Sequence, residues 1–250
     1  METLYETGVR AVIDDFLLKE ANNKRDYGEY WSGSSAGYCM RKVIFDRLGV
    51  DPVNDDARKQ KVFSVGHIFH EWIQGLTKDA GVSVAQELEL IDDNYKIKGH
   101  IDDLIKTENG LVLYDYKTQH SRAFNYKRPG MNYYHKMQLG TYMMMLNQTK
   151  TPDGDEIENP VDEARILKIS KDDLRMSEEQ LFWTPELEAE VKDYWTTINK
   201  YLQDKKMPQC TCADREGGFM ARETYNPYFY NGEPCSVDWY YLWKGEKGEK

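Results

Sequence analysis

The chain has 250 residues, enough for one domain with a sizeable core, and carries 43 acidic against 33 basic residues for a formal net charge of −10. That balance excludes a protein that coats nucleic acid by bulk charge, while leaving room for a local basic groove on an acidic exterior. No basic stretch followed by an apolar run opens the sequence, and no apolar run approaches bilayer length, so the expectation is a soluble intracellular protein whose four cysteines are thiols or metal ligands rather than disulfides.

Residues 7–22 read as an amphipathic helix with Val9, Val12, Ile13, Phe16 and Leu17 on one side. Ser32-Gly33-Ser34-Ser35 is a helix-start signal for a segment running to about Leu48, where Gly49 stops it. Residues 51–57 are a polar loop, and 58–80 form a longer helix with Val62, Val65, Phe69, Ile73 and Leu76 at helical spacing. Strands follow at 82–91, 95–105 and 111–118, with turns at Asp92-Asp93-Asn94 and at Glu108-Asn109-Gly110, whose Asn-Gly pair is a strong hairpin signal. Residues 119–131 are irregular and somewhat basic, 133–148 helical, 151–161 a loop, 164–169 a strand, and 185–205 a helix with Pro in its first turn. From 207 the chain is rich in glycine and aromatic residues and holds three of the four cysteines. No repeat of domain size is present.

The chemistry concentrates in Gly99-His100-Ile101-Asp102 and Tyr114-Asp115-Tyr116-Lys117. Residues two apart on a strand share a face, so Asp115 and Lys117 point the same way, and a tight hairpin brings Asp102 alongside. Two carboxylates beside open water positions form a Mg²⁺ or Mn²⁺ site, and the Tyr116 backbone carbonyl, between the two side chains, is a further ligand. Lys117 is placed to orient an attacking water or stabilise a crowded phosphorus centre. A surface hairpin with scattered charges is the bland alternative. On the helix at 133–148, Gln138 and Tyr142 are four apart and project together, suited to position a phosphate or the lysine. His70 adds a nitrogen ligand; His67 and His70 do not form a zinc pair of the H-E-x-x-H kind.

The ordered set G-x-x-x-H, G-x-x-D, D-x-K and Q-x-x-x-Y resembles the RecB-like branch of the PD-(D/E)XK nucleases, most of all the fourth of the CRISPR-associated protein families, an exonuclease family, and its phage-encoded relatives. The resemblance runs from about Ser32 to Cys235, and Ser34 to Lys42 with Arg47-Leu48-Gly49 is similar to that family's opening motif. It implies an α/β restriction-endonuclease-like core, a central mixed sheet flanked by helices, and a metal-dependent DNA nuclease of the bacterial, archaeal or phage-infected cytoplasm. By position His70, Asp102, Asp115 and Lys117 match the family's catalytic residues, and Gln138 and Tyr142 its downstream motif. Glu87 matches a frequent family glutamate only loosely and stays outside the site.

One early cysteine, Cys39, and three late ones, Cys210, Cys212 and Cys235, resemble the family's iron–sulfur arrangement, four thiolates being what a [4Fe–4S] cluster needs. The family crowds its last three cysteines, whereas Cys235 follows a long insertion here. A Cys₄ zinc site and four unrelated thiols remain open. The expected organisation is an N-terminal helical segment at 1–57, a nuclease core at 58–206, and a segment at 207–250 that packs on the N-terminal one to form a small cysteine-bearing lobe. Phosphate contacts are expected from Arg41, Lys42, Arg122, Lys127, Arg128 and Lys136. The expected substrate is DNA, single-stranded or with free ends, with a recombination or CRISPR-adaptation protein as possible partner and no membrane. A DNA-binding adaptor without turnover and a site-specific endonuclease are the rival readings.

Overall fold

A computed structural model describes residues 8–21, 28–49, 57–126, 130–147 and 160–209. In chain order the elements are α1 (Val9–Ala21), β1 (Trp31–Ser32), a short 3-10 turn (Gly33–Ser35), α2 (Met40–Arg47), α3 (Ala57–Asp79), β2 (Ser83–Asp92), β3 (Ile97–Thr107), β4 (Gly110–Gln119), α4 (Ser121–Asn125), α5 (Tyr133–Leu146), β5 (Glu163–Ser170), β6 (Met176–Phe182) and α6 (Pro185–Gln203). The strands form one mixed sheet in the order β1-β3-β4-β5-β6, with β2 also on β3. β4 and β5 are parallel, so α5 is the crossover between them and runs antiparallel to both.

One face of the sheet carries the main core. Leu104, Leu113, Ala164 and Ile166 meet α5, which is buried on nearly every side, and α6 closes the layer with Leu187, Val191, Trp195 and Ile198. Thr184 caps α6 by accepting from the Leu187 amide, with Pro185 at the first helical position as expected. The other face is covered by α3, where Ile73 and Phe69 pack on Tyr116 and Ile169. Among the described residues no helix is long and apolar enough to cross a membrane.

Four expectations are corrected. The single helix from Ser32 to Leu48 is broken, because the chain turns over α5 at Gly37 (φ +78), where a Cβ would lie 2.8 Å from Met137 Cβ and 2.9 Å from Tyr134 Cα. The irregular stretch at 119–131 contains α4, capped by the His120 ring accepting from Ala123 N. β1 and β6 were not expected. The helix start at Ala57 takes one residue from the expected loop. The remainder of that loop, residues 151–159 of the loop expected at 151–161, and Cys210, Cys212 and Cys235 lie outside the described residues, as does the lobe they were expected to form.

Candidate active site

The β3–β4 hairpin pairs from Thr107–Gly110 to Asp103–Tyr114. The next pair on that register is Asp102 with Asp115, but the ladder has stopped. Along its other edge β3 is paired with β2 for most of its length, which leaves one edge for both β4 and β1. β1 takes Ile97 and Lys98, and β4 starts at Asp103. Gly99 to Asp102 therefore line a fork with no strand opposite.

Two motifs meet in that fork. The Tyr142 ring from α5 lies against Gly99 and Gly33, where added Cβ atoms would come within 2.8 Å and 2.6 Å of its Cε1. The glycine of G-x-x-D is thus the space that the tyrosine of Q-x-x-x-Y fills. Gln138, one turn earlier, donates through Nε2 to Asp115 Oδ1 at 2.8 Å. At the rim of the fork the Tyr116 amide donates to Asp102 Oδ2 at 2.7 Å.

Lys117 Nζ sits 3.0 Å from Asp115 Oδ1 and 2.8 Å from Oδ2. His70, from α3, brings Nδ1 to 3.5 Å from Asp102 Oδ2. Gly66 of the same helix passes close to Thr118 of β4, which sets α3 against the end of that strand. The Tyr116 backbone also hydrogen-bonds the His70 ring in a way that favours its protonated form, so the group involved is the carbonyl accepting from the ring. His70 and the Tyr116 amide thus both face the Asp102 carboxylate, and the Asp115 charge bears on Asp102 and His70 alike.

Their electrostatics are coupled. Burial, and then the Asp115 charge, push the Asp102 carboxyl up to about 8. Burial opposes the charge on Lys117, but Asp115 and Asp102 outweigh it and hold the ammonium above its ordinary value. Burial, and then Lys117, hold His70 below its ordinary value, leaving a neutral ring with a lone pair to give.

Among the described residues no group of three or more His, Cys, Asp and Glu side chains stands close enough together to hold a metal ion. The donor set nevertheless fits a hard cation. Two carboxylates crowd each other at a cost that a cation would remove, and Asp115 Oδ2 is buried without a well-directed hydrogen bond. Asp102, Asp115, His70 and the Tyr116 carbonyl are the residues that would hold Mg²⁺ or Mn²⁺.

The supporting residues were largely missed in the sequence. Gln74, one turn after His70, donates through Nε2 to the Asp102 carbonyl at 2.8 Å and to Glu87 Oε1 at 2.8 Å. Its i, i+4 spacing from His70 was a usable signal. Glu87, left out of the site by the sequence reading, is joined to Asp102 through that amide, adds to the charge raising Asp102, and holds a left-handed backbone (φ +50). Asp103 is fully buried behind the site and accepts from Ser83 Oγ (2.6 Å), Thr77 Oγ1 (2.6 Å), the Tyr116 hydroxyl (2.9 Å) and Gln86 Nε2 (3.2 Å).

The basic residues divide. Lys42 pairs with Asp46 at 2.6 Å and lies over the Tyr38 ring, and Lys136 pairs with Glu190 of α6, so both are tied within the helical layer. Arg41 lies over Phe45 with its Nε buried. Arg122 is exposed on α4. Lys127 and Arg128 lie outside the described residues. Cys39 is buried at the start of α2.

A family model described as the PD-(D/E)XK nuclease superfamily matches residues 41–225. The "CRISPR-associated exonuclease Cas4" of Saccharolobus solfataricus is a homologue, 28% identical over 134 residues that cover 47% of this chain; the chain spans 63% of that relative's length. The crystal structure of SSO0001 shares the fold, with a TM-score of 0.52 at 17% identity, covering 86% of this chain and 95% of that one.

Proposed function

The chain belongs to the PD-(D/E)XK nuclease superfamily, and from that membership we propose that it hydrolyses phosphodiester bonds in DNA, acting as an exonuclease on single-stranded or frayed ends. The observation that carries this reading is the meeting of Asp102, Asp115, His70 and Lys117 at the β3–β4 fork. A divalent cation bound there would acidify a water and neutralise charge on the phosphate. The chain's own residues do the rest. The Tyr116 amide and Gln138 fix the two carboxylates, so neither has to be ordered during the reaction. The neutral His70 ring offers a nitrogen without a competing proton. Lys117, more exposed than the carboxylate it pairs with (32% against 5%), is the member that meets the substrate and stabilises charge on the phosphoryl oxygens. Arg122 on α4 is a phosphate contact on the way in. The Cas4 homologue is likewise described as an exonuclease. The four cysteines have the number and type for a [4Fe–4S] cluster or for zinc, which iron, sulfide and zinc analysis of the purified protein separates.

The test is degradation of end-labelled linear DNA with Mn²⁺ or Mg²⁺ by wild type, Asp115→Ala and Lys117→Ala. Wild type degrades the DNA and each variant loses at least about a hundredfold in rate. Undiminished cutting by both variants rejects the site. Binding without cutting under every metal favours the adaptor, and cutting of closed circles favours an endonuclease.

A further inference from the structure

His135 lies in the first turn of α5, is only 9% exposed, and has a buried Nδ1 without a hydrogen-bond partner. A buried polar atom left unpaired is destabilising, so its position calls for a reason. The topology supplies one. α5 runs antiparallel to β4, and Gln138 meets Asp115. One turn back along α5, about 5 Å, is His135; two residues onward along β4, about 7 Å, is Lys117. Opposite running directions bring the two over each other.

The charged groups bearing on the ring are Lys117 and Lys168, the latter being the register partner of Lys117 on β5; neither is an acid. Tyr134 lies edge-on with ring centroids 4.4 Å apart. Burial, and then these two ammonium groups, keep the imidazole neutral, so one ring nitrogen is an acceptor. Lys168 already holds the carboxylate of Glu179, which is outside the site. Lys117 donates to Asp115 Oδ1 and is ion-paired with Oδ2, the same oxygens a hard cation needs.

We propose that His135 is a positioning residue for Lys117, its Nδ1 accepting from the ammonium and holding it at the reacting phosphate once Asp115 is committed to a cation. The inference rests on the hydrolase reading of the site. It assigns His135 no contact with substrate, which its burial prevents.

The experiment compares wild type, His135→Phe, which keeps a ring but no acceptor, and His135→Asn, which returns an acceptor near the Nδ1 position. On labelled linear DNA at saturating Mn²⁺, His135→Phe lowers kcat by about tenfold to a hundredfold with KM within about threefold, and His135→Asn recovers to within about threefold of wild type. The second readout is the Lys117 side-chain nitrogen signal by NMR without DNA. It is the same in metal-free wild type and His135→Phe, and differs between them once Mg²⁺ is added. Wild-type turnover in His135→Phe, equal loss in Phe and Asn, or Mg²⁺-loaded signals that coincide would each overturn the proposal. If wild type cuts no DNA, the hydrolase reading fails and the lysine signal decides the role of His135 separately.

Discussion

The main-chain N–H of Tyr116 donates to the Asp102 carboxylate at 2.7 Å, just beyond the last paired rung of β3 and β4. Its phenol donates to the neighbouring Asp103 at 2.9 Å. Two consecutive acids on one strand therefore hold both ends of one residue on the next, and the separation of the strands becomes a defined opening. Gly99 to Asp102 have no strand partner on that edge, and at its end the Tyr116 amide meets a side-chain acceptor in place of a main-chain one.

Asp103 should then matter for stability although it touches neither water nor substrate. Asp103→Asn turns an amide NH₂ towards hydroxyl and amide donors that now face an oxygen, leaving buried donors unpaired. The expected loss is about 1–3 kcal/mol by urea denaturation. Tyr116→Phe removes one of the four bonds and should cost about 1–2 kcal/mol. An Asp103→Asn protein as stable as wild type would show that the network does not fix the fork.

Gly99 is required by volume. Its missing Cβ is where the Tyr142 ring lies, and Tyr142 is buried among core side chains. Gly99→Ala forces the ring or β3 to move and should cost about 1–3 kcal/mol, a few degrees in Tm for a domain of this size. Thermal unfolding measures it. An unshifted Tm would mean that the ring has somewhere else to go.

The pH dependence of stability isolates His135. Burial, and then Lys117 and Lys168, push its pKa down to about 3, below the ordinary histidine value. The folded state therefore binds fewer protons than the unfolded one across this interval. The contribution is fully present above the unfolded value, near 6.5, and is lost as pH falls towards 3. Tm recorded from pH 7.5 to 4 should fall more steeply for wild type than for His135→Phe. The Phe variant, with no unpaired nitrogen to bury, should match or exceed wild type at pH 5 even though it turns over more slowly. Parallel curves would contradict the burial of a neutral ring.

The two classes of basic residue should separate on DNA. Lys136→Ala breaks a half-buried pair with Glu190, costs about 0–1 kcal/mol of stability, and leaves DNA affinity unchanged. Arg122→Ala weakens DNA binding and lowers the slope of log affinity against log salt by about one. Fluorescence anisotropy over a salt series reads both. Equal effects would mean that the ion pair with Glu190 opens to receive DNA.

Much of this was legible in the residues, for physical reasons. α1, α3, α5 and α6 declare themselves by period or by length, and the β3–β4 hairpin by Asn109-Gly110. Asp102, Asp115, Lys117 and Gln138 followed from strand and helix spacing, and the structure brings them together. β6 was missed because Met176-Ser177-Glu178-Glu179-Gln180 stands at the sheet edge with both faces largely in solvent, so no alternation marks it. The break at Gly37 depends on crowding by Tyr134 and Met137, nearly a hundred residues away, which no local pattern encodes. The ion pair of Lys136 was not legible because its partner, Glu190, belongs to a helix whose placement the sequence does not reveal. Tyr142 reads from the sequence, with Gln138, as positioning a phosphate or the lysine, and its proximity to two glycines becomes visible only when β1, β3 and α5 are assembled.

The central claim is that Asp102, Asp115, His70 and the Tyr116 carbonyl share one cation. A crystal soaked in Mn²⁺ and measured for anomalous scattering tests it most directly. The account predicts one strong peak at bonding distance from both carboxylates, abolished in Asp115→Ala. A peak elsewhere, or the same peak surviving without Asp115, would contradict it.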